Sequence, residues 1–192
     1  MIVGGINGAG QTTPVEELRG RPGMKGALFR NPDQETAAAM AADPQMTPGA
    51  AQFLGLRIVL EAVHRALAED RSVVTETVFA SAAALGLMRT ARSRGFGVRL
   101  VFVGAPTVED AIARVANRVA RGGHHVPEAD MRRRWPRARS NLSQAVEIDV
   151  FADVGAEPRL MPIAMPRQGR VTIQDRDTLP AVTAALDHWP TS

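Results

Sequence analysis

The sequence contains no cysteine and no tyrosine, a single lysine (Lys25), and aromatic residues at only 4% of its positions. Without cysteine there is no disulfide, no thiolate nucleophile and no cysteine zinc site. Only four histidines remain as imidazole ligands for zinc, and His124 and His125 are adjacent, so in extended chain they point to opposite sides. A zinc site is not expected. No apolar run approaches the ~20 residues that a bilayer-spanning helix requires. Met1 to Gly4 reads as a strand with no basic leader before it, so a cytoplasmic location without membrane contact is expected. Trp135 and Trp189 stand alone and suit a core or its rim better than a platform for stacked bases.

What is present is ordinary for a globular protein: 192 residues, 45% hydrophobic and 22% charged. That length suits one domain over residues 1–192, and a chain of this size buries roughly 70% of its unfolded surface. The calculated pI of 10.7 suggests nucleic acid, yet the formal net charge is only +3. With 22 arginines and almost nothing that titrates between pH 8 and 11, a small positive charge persists to high pH. Distribution is more informative. Residues 114, 118, 121, 132, 133, 134, 137 and 139 are all arginine, against only Glu128 and Asp130 in the same stretch. A guanidinium cluster suits phosphate, because the planar fork binds anionic oxygens two at a time.

Apolar periodicity divides the chain into alternating strands and helices. A first strand ends at Gly4, and Pro14 opens a short helix that must stop at the loop Gly20 to Gly26. Asn31 caps a helix to about Ala42. A long helix runs from Thr47 to about Glu69, with Phe53, Leu56, Leu60, Val63 and Leu67 as the stripe expected to face a sheet. Strands are expected at Ser72 to Thr77 and Val98 to Val103. Helices are expected at Ala80 to Arg94 and after Thr107, the latter on a Val108, Ile112, Val115, Val119 stripe. Gly122-Gly123 breaks that helix, and Val126-Pro127 starts another. Short strands follow at VFADV, RLMPIA and RVTI, then a helix from about Leu179 to His188. The alternation implies a three-layer α/β/α fold with a mostly parallel sheet.

One segment carries chemistry. Gly5, Ile6, Asn7, Gly8, Ala9, Gly10, Gln11, Thr12 and Thr13 have the spacing G-x-x-x-x-G-x-T directly after a strand and before a helix. In that setting successive backbone amides converge on phosphate oxygens at a positive helix end, and the Thr12 hydroxyl is placed to ligate Mg²⁺. The usual lysine of this loop is Gln11. Glutamine reaches and donates but brings no charge, so phosphoryl transfer should suffer more than nucleotide binding.

The loop INGAGQTT, the NPD at Asn31 to Asp33, the TET at Thr75 to Thr77, and RVxxRVxxGGHxVPxxxxRRR from Arg114 to Arg134 together resemble the zeta-toxin-like P-loop kinases over about residues 1–155. The resemblance implies a nucleoside-kinase-like P-loop NTPase fold with ATP and Mg²⁺ as cofactors. It implies an arginine-rich lid at about residues 118–139, and phosphorylation of a sugar hydroxyl of UDP-N-acetylglucosamine. It implies that Gly5, Asn7, Gly8, Ala9, Gly10, Gln11, Thr12 and Thr13 bind nucleotide. Asp33 would be the base for the acceptor hydroxyl, Glu76 and Thr77 would hold the acceptor, and Arg118, Arg121 and Arg134 would clamp the β- and γ-phosphates. Spacing does not select among those arginines. His124 would be a hinge contact of the lid, and an antitoxin protein is an implied partner. The chain departs from the family at Gln11, in the early GRPG break of the first helix, and in lacking a YDNS-like run after Asp149.

Two other readings stand beside the kinase. Gln11 suits a catalytically silent nucleotide-binding protein or an inactivated toxin. Residues 114–139 could form a nucleic-acid module, against which stand the low net charge and the absence of interleaved aromatics. A surviving activity needs another cation, from the lid arginines or from Lys25.

Overall fold

A computed structural model describes residues 1–5, 7–8, 12–122, 125–142, 144, 148–153, 160–167, 170–173 and 177. The chain begins with β1 (Ile2–Gly5), α1 (Thr12–Arg19), β2 (Leu28–Arg30), α2 (Pro32–Ala42) and α3 (Pro48–Ala68). It continues through β3 (Val73–Thr77), α4 (Ala82–Ser93), β4 (Leu100–Gly104), α5 (Val108–Ala120) and α6 (Glu128–Leu142). Strands β5 (Ile148–Asp153), β6 (Leu160–Arg167) and β7 (Arg170–Ile173) complete the described elements. The helix expected at Leu179 to His188 lies outside the described residues.

The sheet order is β2-β3-β1-β4-β5-β6-β7. The first five strands run parallel, and β6 and β7 turn back antiparallel. Every residue of β1 and β4 is buried. Since neighbouring side chains on a strand face opposite ways, both faces of the sheet centre are covered, which is the three-layer arrangement expected. Val15 and Leu18 of α1, Val59 and Val63 of α3, Leu85 and Met88 of α4, Val115 of α5, and Met131 and Leu142 of α6 all join one core. No helix among the described residues is long and apolar enough to cross a membrane.

Topology locates the crevice. From β1 the chain passes to β2 at the edge, returns to β3 beside β1, then crosses to β4 on the other side of β1. Connections diverge at β1, so the loops at the carboxyl ends of β1 and β3 part and leave a cleft between them.

Two expectations require correction. Strand β2 is not apparent in the periodicity, because three residues are too few to show a period. It forms because Leu28 to Arg30 pair in register with Val73 to Thr75. The α3 stripe is also displaced. Its buried residues are Ala51, Gly55, Val59, Val63, Ala66 and Leu67, while Phe53 is 71% and Leu56 42% exposed. The first half of α3 packs on α2 instead of the sheet, so small residues replace large ones on its inner face. Gly55 marks the closest approach: a Cβ there would lie 2.5 Å from Thr36 Oγ1 and 2.7 Å from the Thr36 amide nitrogen. The Thr36 hydroxyl in turn donates to the Pro32 carbonyl at 2.8 Å.

Gly55→Ala is therefore expected to lower unfolding free energy by about 1–3 kcal/mol, as overpacking against backbone does. Gly49→Ala, at an open position in α3 where an added Cβ meets nothing within 4 Å, should instead raise it by up to about 1 kcal/mol. Urea unfolding of the two variants checks the pair.

Candidate functional site

A cavity of about 380 Å³ opens at the carboxyl ends of the strands. One wall comes from β2–α2 and α3, a second from the end of β3, and a third from α6. Asn31 joins the first two. Its side-chain oxygen accepts from the Asp33 amide at 2.8 Å and caps α2, while its Nδ2 donates to Glu76 Oε1 at 2.9 Å. Proline at position 32 suits the first helical turn, and the helix N-terminus favours a carboxylate such as Asp33. Asp33 is exposed to the cavity and is not itself the cap.

Glu76 and Thr77 end β3 and line the same cavity. Burial pushes the Glu76 carboxyl above its ordinary value, the nearby Asp33 charge adds to the rise, and the Asn31 hydrogen bond partly opposes it. The following turn is strained: Phe79 is fully buried at φ 52°, a left-handed conformation that is costly for a bulky side chain. Two contacts hold it. Phe79 packs edge-on against Phe102 with centroids 6.2 Å apart, and its carbonyl accepts from Asn141 Nδ2 at 3.0 Å.

The arginines of α6 are divided by helical position. Arg132 points to α5, donating to Glu109 Oε1 and, from Nε, to Glu128 Oε1, both at 2.8 Å. Arg133 and Arg134 line the cavity and share Asp130, and Arg137 lines it one turn further on. Arg134 Nη1 also donates to Asn7 Oδ1 at 3.0 Å, tying α6 to the turn that opens the glycine loop. The neighbouring Gly8 is packed on α5. Its φ is +83°, and a Cβ there would sit 2.4 Å from the Ala111 carbonyl oxygen.

The structure thus brings together Asn7, Asp33, Glu76, Thr77 and Arg134. Gly5 ends β1, buried beside them. Thr12 and Thr13 start α1, as a phosphate loop requires, and their side chains lie outside what is described. Ala9, Gly10, Gln11 and His124 are also outside the described residues. Arg118 and Arg121 do not line the cavity among the described residues. They stay exposed on the last turn of α5 and its cap, because the chain reverses only at Gly122 (φ +85°). Lys25 is exposed in the turn after Pro22–Met24 and does not line it either. Sequence reasoning passed over Arg133, Arg137, His125 and Asp130 as site residues. For Asp130 and Arg137, four residues before and three after Arg134 on α6, that helical spacing was the available signal; Arg133 and His125 carried none.

No family model matches the sequence, and no curated protein matches it. Solved structures do. A chain of the AvrRxo1-ORF1:ORF2 complex is similar over the whole of this chain and 75% of its own length, with a TM-score of 0.65 and 14% identity. The same complex with ATP gives a TM-score of 0.64 at 14% identity, covering all of this chain and 76% of that one. A chain of the PezAT chromosomal toxin-antitoxin system of Streptococcus pneumoniae matches with a TM-score of 0.55 and 9% identity, over 79% of this chain and 66% of that one. At these identities the likeness concerns the fold alone: the chain shares the three-layer α/β/α fold of these structures.

The raised Glu76 carboxyl gives a signed prediction. A carboxyl whose folded-state value lies above the unfolded 4.5 contributes stability below that pH and loses it as pH rises through the folded value. Glu76→Gln removes the cost of burying the charge and keeps an acceptor for Asn31. Its melting temperature should exceed wild type at pH 8, and the gap should close below pH 4.5, as paired thermal melts would record.

Proposed function

We propose that this protein is an ATP-dependent small-molecule kinase of the zeta-toxin type that phosphorylates a sugar hydroxyl, with UDP-N-acetylglucosamine as acceptor. The supporting observation is one cavity in which Asp33, Glu76 and Arg134, from three separate elements, surround the Asn7 turn of the glycine loop. Nucleotide phosphates would lie over the backbone amides of residues 5–13 at the start of α1. Arg134, already bonded to the loop, would bring a guanidinium fork to the β- and γ-phosphates, with Arg133 and Arg137 behind it. Asp33, across the cavity, would take the proton of the acceptor hydroxyl. The hydroxyl oxygen bonds to the γ-phosphorus as the bond to the departing ADP oxygen breaks. Glu76 would position neighbouring hydroxyls by accepting from them through its carboxyl oxygens. Thr77 does the same with its hydroxyl.

Magnesium fits as an ion carried with the nucleotide. Among the described residues no group of three or more His, Asp or Glu could hold a metal alone, and Asp33 beside Glu76 leaves this end of the cavity rich in negative charge. The motif assigns the Thr12 hydroxyl as its protein ligand. Held there by the Thr12 hydroxyl, it would supply positive charge against the negative charge that develops on the phosphates. A cytoplasmic location and an antitoxin partner belong to the same proposal, and the PezAT neighbour comes from a toxin-antitoxin system. Gln11 favours a second reading, a nucleotide-binding protein that no longer turns over.

Mass spectrometry of the protein with Mg-ATP and UDP-N-acetylglucosamine tests both. Gln11→Lys should raise turnover by about 10²–10³, the effect of one preorganised donor. Asp33→Asn in that background should lower it by about 10²–10⁴, the loss of a general base. Turnover only in Gln11→Lys establishes the silent reading. If neither form phosphorylates the sugar nucleotide while ATP still raises the melting temperature, the acceptor assignment fails. If ATP raises nothing, the kinase reading fails.

A further inference from the structure

Asp130 is the one acid on the α6 wall of the cavity. Its two oxygens are divided between two guanidinium groups, Oδ1 accepting from Arg133 Nη2 at 2.6 Å and Oδ2 from Arg134 Nη2 at 3.3 Å. Arg134 also donates through its other terminal nitrogen to Asn7 of the glycine loop. One carboxylate therefore holds two adjacent arginines over the place where the loop begins. The arrangement is that of an anion seated in an arginine fork, with a carboxylate where phosphate oxygens would sit. The contacts are also open to exchange. The side chains of Arg133 and Asp130 are 56% and 34% exposed, and a half-exposed ion pair of one helix turn holds weakly. Arg132, the third of the run, differs: its carboxylate partners Glu109 and Glu128 do not line the cavity, so it braces α6 against α5 and is not displaced by a ligand there.

We propose that Asp130 is an internal competitor for phosphate: it occupies Arg133 and Arg134 in the ligand-free protein and yields them to the phosphates of a nucleoside triphosphate. The inference rests on the nucleotide-binding reading above and adds regulation of that site. Binding is then an exchange of anions on two arginines. The affinity for nucleotide is set by the difference between carboxylate and phosphate contacts on those arginines. Asp130 is a positioning residue with a cost to binding, and its neutral isostere releases both arginines.

Calorimetric titration of Mg-ATP into wild type, Asp130→Asn, Arg133→Ala/Arg134→Ala and the triple variant tests this, with circular dichroism melts confirming that each is folded. Asp130→Asn should bind about threefold to tenfold more tightly than wild type, the effect of freeing two guanidinium groups from partly solvated ion pairs. The gain should vanish when both arginines are absent. Unchanged or weaker binding by Asp130→Asn, while the arginine double variant loses affinity, overturns the competitor and leaves nucleotide binding in place. An equal gain without the arginines also overturns it, since the effect would then be one of general charge. Absence of ATP binding by every folded variant overturns the nucleotide-binding reading and the competitor together.

Discussion

The side chain of Asn31 is the point on which the β2–β3 half of the cavity depends. One amide does two tasks: its oxygen ends the unpaired amides at the start of α2, and its nitrogen binds the carboxylate at the end of β3. The first task fixes the direction in which α2 leaves the sheet, and with it the position of Asp33 in the first turn. The second couples that helix to Glu76, which would otherwise be a half-buried acid facing another acid. A hydrogen bond to a charged group that is partly withdrawn from water is stronger than its exposed equivalent, and leaving either partner unpaired is costly. Two elements separated by 45 residues in sequence are thereby held in one geometry.

The other half of the cavity is built by close approach and by strain. Gly8 lies against the Ala111 carbonyl in a conformation and a space that no side chain could share. Phe79 keeps a left-handed backbone because its ring is fully buried against Phe102 and its carbonyl is held by Asn141 from α6. Helix α6 thus touches the site twice, through Arg134 on the loop after β1 and through Asn141 on the turn after β3. It acts as a strut across the cleft that diverging connections leave at β1.

The arginine cluster illustrates the limit of reading composition. Of the run 132–134 the resemblance singled out Arg134, and composition alone does not separate it from its neighbours. In the structure a rotation of about 100° per residue sends Arg132 to acids on α5 and α6 and its two neighbours to the cavity. Arg118 and Arg121, equally prominent in the motif, end on the exposed side of a helix that stops before the chain turns back. Much of the apparent basicity is internally neutralised, which fits a local role for these residues better than a continuous nucleic-acid surface.

The alternating architecture, the boundaries of most helices, the cap at Asn31 and the glycine-rich turn between β1 and α1 are legible in the sequence. These follow from short-range rules: apolar period, proline and glycine punctuation, and capping chemistry act over one or two turns of chain. The sequence also indicated Asp33, Glu76, Thr77 and Arg134 as companions of that turn. The remaining features come from contacts between distant segments. The strand β2 exists through pairing with β3, not through its own pattern. The inner face of α3 is set by Gly55 meeting Thr36 on another helix, which left Phe53 and Leu56 outside despite their spacing. Which arginines face the cavity, and that Asp130 occupies two of them, depends on the rotation of α6 over the sheet. Those are contacts between segments far apart in the chain, and no periodicity within a segment encodes them.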